Sequence, residues 1–290
     1  MGTASHPSST DRATAVGGSA PYRASTFAAM RYRNYRLWFF GQMISQMGTW
    51  MQSVAQGWVV YRLTGSELAL GTISFAGSAP TLLLMLPAGV LADRVPKRRV
   101  LLFTQTAMML LAVILAVLAG TDALRVWHIV VLSVCLGIAN SFDAPARQSL
   151  AVEMVDDRRD LMNAIAMNSM LFNIARIVGP SLAGIILASL GATWCFALNA
   201  LSFVAVICAL LAMRLPDVPR ASRAEPMARQ LAEGLRYVWR NVNVRTIIAV
   251  VGIASISIGS YSVLFPAFAA DVFRTGASGL GWLNASMGAG

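Results

Sequence analysis

Apolar and polar positions in this chain segregate into long blocks rather than into the short amphipathic periods of a water-soluble fold. An α-helix needs about 20 mostly apolar residues to cross a hydrocarbon core. Runs of that kind occupy residues 37–61, 70–92, 100–120, 126–144, 162–190, 194–213 and 246–270. An eighth starts near Leu280 and is still running at Gly290. Each block predicts a membrane-spanning helix, so the expected fold class is all-α, a polytopic membrane helix bundle. The first run is too long and too late to be a cleaved signal peptide. Residues 1–30, rich in Ser, Thr, Ala and Gly and without periodicity, read as a disordered tail. Residues 31–213 read as a six-span bundle, 214–243 as a linker, and 244–290 as the start of a second bundle.

Composition supports lipid as the solvent. Charged residues make up only 12% of the chain against 57% hydrophobic, with a mean hydropathy of +0.62. A water-soluble domain carries about 25% charge. The net charge of +10 would suit a polyanion partner if it were clustered on one face. Its distribution argues against nucleic acid. Arg12, Arg23, Arg31, Arg33 and Arg36 precede the first span; Arg94, Lys97, Arg98 and Arg99 follow the second. Arg147, Arg158 and Arg159 follow the fourth, and seven arginines from Arg214 to Arg245 follow the sixth. The other side has Arg62, Arg125 and Arg274, and Arg176 lies within a span. By the positive-inside rule the amino terminus and the loops after even-numbered spans are cytoplasmic. In the linker, residues 227–240 form a helix-compatible stretch with Leu231, Leu235 and Val238 on one face. It suits either the lipid headgroup layer or a solvated connection.

Polar residues inside the spans carry the candidate chemistry, because such groups face a bundle interior or a wet cavity. Gln42, Gln46, Thr49, Ser53 and Gln56 fall within about 80° of one another at helical pitch and form one inward stripe. Asn173 and Arg176, three residues apart, share neighbouring parts of one helix face. Arg176 counts out near the bilayer midplane, where insertion costs at least about 2.5 kcal/mol. It therefore wants an anion: an acidic group of a small-molecule substrate, or a fixed partner such as Asp143. Asp143 has two readings of its own, a proton carrier or the partner of Arg147. Glu153 is positioned to pair with Arg94. Cys135, Cys195 and Cys208 lack metal-ligand spacing and read as small hydrophobes. No Ser, His or acidic groups converge at one membrane depth, as a membrane-embedded enzyme would require. No metal or cofactor is implied.

Beyond the linker the chain starts again. Tyr32-Arg33-Asn34 is echoed by Trp239-Arg240-Asn241, Gly41 and Gly48 by Gly252 and Gly259, and Val60-Tyr61-Arg62 by Val272-Phe273-Arg274. The shared offset is about 210 residues, so a complete second copy would end near about 420. The expectation is that the sequence is a piece of a longer chain, the alternative being a natural half-carrier. Between spans two and three, Gly89-Val90-Leu91-Ala92-Asp93-Arg94 followed by Lys97, Arg98 and Arg99 resembles the signature loop of the major facilitator superfamily. Pro96 departs from it, standing where that family usually has glycine. Asp143-Ala144-Pro145-Ala146-Arg147-Gln148, Glu153, Asn163-Ala164 and Arg176-Ile177-Val178-Gly179-Pro180 with Gly184 look like the branch containing the bacterial enterobactin exporter. Gly179-Pro180 is also similar to the glycine-proline motif of drug-proton antiporters.

The resemblance implies a twelve-span major facilitator fold in a bacterial inner membrane, of which this chain supplies the amino-terminal six spans, the seventh and the start of the eighth. It implies efflux of a small molecule, siderophore-like, drug-like or a metabolite, by alternating access, with the proton as the candidate coupling ion. Gln42, Gln46, Thr49, Ser53, Gln56, Asn173 and Arg176 would line the substrate cavity. Gly89, Asp93, Arg94, Lys97, Arg98 and Arg99 would form a loop that biases the conformational equilibrium. Gly179, Pro180 and Gly184 would shape a helix kink. The alternative function is a non-transporting membrane sensor or assembly partner that keeps the same fold.

Overall fold

Lipid offers a main chain no hydrogen-bond partners, so apolar blocks that enter it must satisfy their own amides as helices. The computed structural model describes residues 27–155, 157–214 and 227–289, with a few side chains inside helices left out. All regular elements among these residues are helical. They are α1 (Arg33–Thr64), α2 (Glu67–Arg94), α3 (Lys97–Gly120), α4 (Val126–Glu153), α5 (Arg158–Ser189) and α6 (Ala192–Ala212). After the linker come α7 (Met227–Arg240), α8 (Val242–Val263), the single turn α9 (Phe265–Ala267), a π-helical turn (Phe268–Val272) and α10 (Gly276–Ala289). The expected tail at residues 1–26 and the linker at 215–226 lie outside the described residues.

Two boundaries differ from the sequence reading. The bundle begins before residue 31: a 3-10 turn, Ala28–Arg31, buries Ala28 and Ala29 against the start of α5. There the Ala29 amide donates to Asn163 Oδ1 at 2.9 Å, while Arg31 Nη2 and the Tyr32 hydroxyl both reach Asp160 Oδ2, at 2.8 and 3.0 Å. The expected seventh span, 246–270, is not one helix. It stops at Val263 and restarts at Phe265, because Pro266 can donate no amide to a continuing ladder and suits the first turn of a new helix.

Five helices among the described residues are long and apolar enough to cross a membrane: the Glu67–Met85 part of α2, α3, α4, α5 from Arg159 onward, and α6. Helix α1 is 32 residues long, but its amides and hydroxyls lower its hydropathy. It lies inside the bundle instead, packed mainly against α6 and α5, and presents less of itself to lipid. Lipid-facing positions elsewhere are large and apolar, among them Leu82, Leu83, Phe103, Ile185 and Leu201.

Helix pairs approach closely where side chains are small, as expected when close packing and not water exclusion holds helices together in lipid. A Cβ on Gly137 of α4 would stand 2.2 Å from the Gly77 carbonyl oxygen of α2. One on Gly184 of α5 would stand 2.8 Å from Gly281 Cα of α10. The termini of α1, α3 and α6 are tied at one level. Arg33 Nη1 donates to the Ala212 carbonyl at 3.1 Å and Arg98 Nη2 to that of Leu211 at 2.9 Å, which places cations on the carbonyl end of α6.

The buried apolar residues form two clusters. One, around Tyr35, Trp38, Leu101, Leu150, Leu171 and Phe203, draws its described members only from residues 29–213. The other, around Met51, Val60, Leu115, Ile129 and Phe196, also takes in Phe265, Ala267, Ala269 and Leu280. The first six helices therefore share a core with the later segment at one end, the end away from the chain's amino terminus.

Candidate functional site

A cavity of about 470 Å³ opens between the first six helices and the α8–α10 segment. Helix α1 contributes Thr49, Ser53 and Gln56, α2 Ser74 and Ser78, α4 Ser133 and Asn140, α5 Arg176, α6 Asn199 and α10 Asn284. Trp50, Phe203, Pro266, Leu280 and Met287 supply apolar wall. The volume falls within the usual range for small-molecule sites, about 300–1,000 Å³, and the mix of apolar surface with a few polar groups is typical of them.

Four of the seven residues expected to line a cavity are there: Thr49, Ser53, Gln56 and Arg176. Thr49 Oγ1 donates to the Ser45 carbonyl at 2.9 Å, and Gln56 Nε2 reaches across to Ser133 Oγ at 2.7 Å. Arg176 Nη2 donates to the Met287 carbonyl at 3.3 Å, and its Nε is buried without a partner. Gln42 is buried in the helix packing with both amide atoms unpartnered, and Gln46 is half-buried on α1 outside the cavity lining. Asn173 is exposed, its Nδ2 bonded to the Ser169 carbonyl at 2.9 Å.

The cavity also brings in residues the sequence reading passed over. Gln52 and Asn199 are both buried and share a bond of 2.7 Å from Asn199 Nδ2 to Gln52 Oε1, joining α1 to α6. Gln52 sits about 40° outside the α1 stripe at helical pitch, so the stripe criterion excluded it. Asn199 had a usable signal: it is the amide of a highly apolar span. Asn284 belongs to α10, where the apolar pattern had only begun.

Apart from Arg176, the charged groups described next lie outside the cavity lining. Asp143, 1% exposed, accepts from Thr104 Oγ1 and Gln105 Nε2, each at 2.9 Å, and lies 3.6 Å from Arg147 Nε. The Arg147 guanidinium stands 5.0 Å from the Phe172 ring centroid, a cation–π arrangement. Asp143 is therefore engaged with α3 and with its own helix and is not the fixed partner of Arg176. Glu153 pairs with Lys97. In the loop between α2 and α3, Pro96 takes the N-cap position of α3 and Lys97 is its first residue. Arg94 and Arg99 are exposed, Arg98 caps α6, and the Asp93 side chain lies outside the described residues. A Cβ on Gly89 would meet nothing within 4 Å, so no described neighbour makes a close approach there. On α5, Gly179 does meet one: its Cβ would lie 2.7 Å from the Met47 carbonyl oxygen and from Trp50 Cβ, which locks α5 to the cavity-lining part of α1. Pro180 follows inside the helix and also lines the cavity.

At the rim shared with the later segment, the Tyr61 hydroxyl donates to Asp271 Oδ2. Asp271 stands on the π-helical turn, and nearby a Cβ on Gly57 would lie 3.3 Å from Pro266 Cγ. These contacts join the two parts of the chain next to the Val60 and Pro266 wall of the cavity.

Residues 24–290 match the model of a family described as transmembrane secretion effector. Among curated proteins, the chain is 30% identical over 266 residues to the multidrug efflux pump Tap of Mycolicibacterium fortuitum, covering 87% of this chain and 63% of that protein. It is 30% identical over 196 residues to the staphyloferrin A transporter of Staphylococcus aureus, covering 66% and 49%. It is 22% identical over 250 residues to macrolide efflux protein A of Streptococcus pyogenes, covering 84% and 62%. The chain thus spans between about half and three-fifths of the length of these relatives. Among solved structures it is similar to a bacterial homologue of the human lysosomal transporter Spinster, in an inward-facing, unoccupied conformation. That match has a TM-score of 0.59 at 15% identity and covers 88% of this chain and 60% of the other.

Proposed function

Since the chain belongs to the transmembrane secretion effector family, whose members here are transporters and not enzymes, we propose that it forms the substrate-binding part of a carrier that expels a small molecule by alternating access. The observation that carries this reading is the position of the cavity. It lies at the junction of the six-helix bundle and the α8–α10 segment, and both parts contribute wall. A site between two bodies can be exposed to either side by rocking one against the other without rebuilding either. The second apolar cluster and the Tyr61–Asp271 bond join the two parts at one end in this structure.

Within this reading Thr49, Ser53, Gln56 and Arg176 touch the cargo, and Gln52 with Asn199 braces the wall behind them. Gln42, Gln46 and Asn173 contribute to helix packing or to other conformations of the cycle. The loop from Gly89 to Arg99 biases the equilibrium between conformations, with the Lys97–Glu153 pair fastening α3 to α4 on that side. Asp143 serves as the counter-ion of Arg147, so a coupling proton would be carried by a different group.

The test is accumulation of a panel of fluorescent and radiolabelled compounds in cells that express the carrier from its gene. Expression should lower accumulation of at least one compound. Ser53→Trp, which places an indole in the cavity from an exposed position on α1, should abolish that effect while the protein still reaches the membrane. Unchanged accumulation of every compound, or full export by Ser53→Trp, overturns the proposal.

A further inference from the structure

Arg176 is the one ionised side chain among the described residues that line the cavity. A guanidinium taken out of water needs a counter-charge, because the loss of hydration is repaid only by a well-placed anion and satisfied donors. None of the described carboxylates stands within ion-pair distance of Arg176. Asp143, the obvious internal candidate, is already held by Arg147, Thr104 and Gln105. What Arg176 does have is one long bond from Nη2 to the neutral carbonyl of Met287, at 3.3 Å, and a buried Nε with no acceptor. Among the described residues its donors are underused and no carboxylate matches its charge.

The surroundings state what would match it. Asn284, three residues before Met287 on α10, donates one amide N–H to the Leu280 carbonyl at 2.9 Å and has a second for another oxygen. Trp50 and Phe203 offer aromatic surface for an apolar body. A planar guanidinium binds a carboxylate or another oxyanion through two parallel hydrogen bonds, which gives both strength and orientation. Building on the reading of this cavity as the transport site, we infer that it selects organic anions, with Arg176 receiving an oxyanion group of the exported molecule and Trp50 and Phe203 covering its apolar part.

The inference is compatible with the tie to Met287. An oxyanion can take the donors that Met287 leaves unused, and it adds the Coulomb attraction of an ion pair that a neutral carbonyl lacks.

The experiment compares dansylglycine with its uncharged methyl ester, binding to the purified carrier, expressed from its gene, in nanodiscs of neutral phosphatidylcholine. The two probes share a fluorophore and differ in one negative charge. The wild type should bind the acid at least about tenfold more tightly than the ester, the scale of one charge-assisted hydrogen bond. Arg176→Gln should erase that preference by weakening the acid far more than the ester, and Arg176→Lys should keep part of it. Equal binding of acid and ester by the wild type overturns the inference, as does a preserved preference in Arg176→Gln. Ser53→Trp separates this inference from the reading beneath it. If Ser53→Trp displaces both probes and the wild type shows no charge preference, the anion assignment falls and the transport cavity stands. If Ser53→Trp displaces neither probe, both fall.

Discussion

At the scale of single residues, Asp143 shows how a buried charge can be mistaken for a working one. From sequence it is an acidic group inside a span, and such groups are often proton carriers. Its three partners give it another role. With Thr104 and Gln105 bonding one oxygen and Arg147 facing the other, the carboxylate joins α3 to α4 and neutralises a cation that also rests on Phe172. Removing one member of a buried pair costs about 3–5 kcal/mol, because the other is stranded. Asp143→Asn should therefore lower the melting temperature of the purified protein sharply, and Asp143→Asn combined with Arg147→Met should recover most of the loss. A single Asp143→Asn variant that melts like the wild type would mean the carboxylate is free for proton traffic. The pairing of Asp143 with Arg147 was readable from their i, i+4 spacing, since such positions neighbour each other on a helix. Thr104 and Gln105 were not, because nothing in a sequence announces which distant helix turns its polar side to a given carboxylate. Gln52 fell outside the α1 stripe, and Asn199, though an amide in a highly apolar span, gave no sign that its partner would be on α1.

At the scale of helices, hydrophobic run length located α1 to α6, five of them in whole or in part long and apolar enough to cross a membrane, because in lipid the only available secondary structure is the one that closes its own hydrogen bonds. The internal breaks were not legible in the same way. Pro80, Pro87, Pro145 and Pro180 all sit within continuous helices, yet Pro266 starts a new one after α8, so a proline in an apolar run does not by itself say whether the helix ends. The break matters, since the π-helical turn after it presents Asp271 to Tyr61. Such wider turns recur at functional positions because they re-aim a side chain. Tyr61 is nearly buried, so Tyr61→Phe keeps the ring packing and deletes only the donor to a carboxylate. A bond of that kind is worth about 1.5–3 kcal/mol, enough to raise the population of molecules open at this rim about tenfold or more. The measurement is the rate at which an impermeant thiol reagent reaches Ser74→Cys, in the cavity wall, from the side of the Tyr61 rim. An unchanged rate would show that apolar packing around Phe265 and Leu280 holds the rim without the hydrogen bond.

At the scale of the whole molecule, the two apolar clusters and the charge distribution describe one asymmetry. The cluster confined to residues 29–213 lies toward the end where Arg33, Lys97, Arg98 and Arg214 gather, and the shared cluster lies toward the other end with Arg62, Arg125 and Arg274. Hydrogen bonds between Asn34 and the main chain of Arg214, at 2.8 and 3.2 Å, bring the start of α1 and the exit from α6 to the same level. An even number of crossings must do so. Cationic side chains near span ends resist translocation, so the orientation we propose puts the basic end in the cytoplasm. In that orientation the rim that carries the Tyr61–Asp271 bond faces outward. Single cysteines placed in a background lacking Cys135, Cys195 and Cys208 test this directly. A membrane-impermeant maleimide should label Asp122→Cys, in the exposed turn between α3 and α4, on intact cells. It should label Arg214→Cys only after the membrane is permeabilised. The opposite pattern would turn the bundle over and put the Tyr61–Asp271 rim in the cytoplasm.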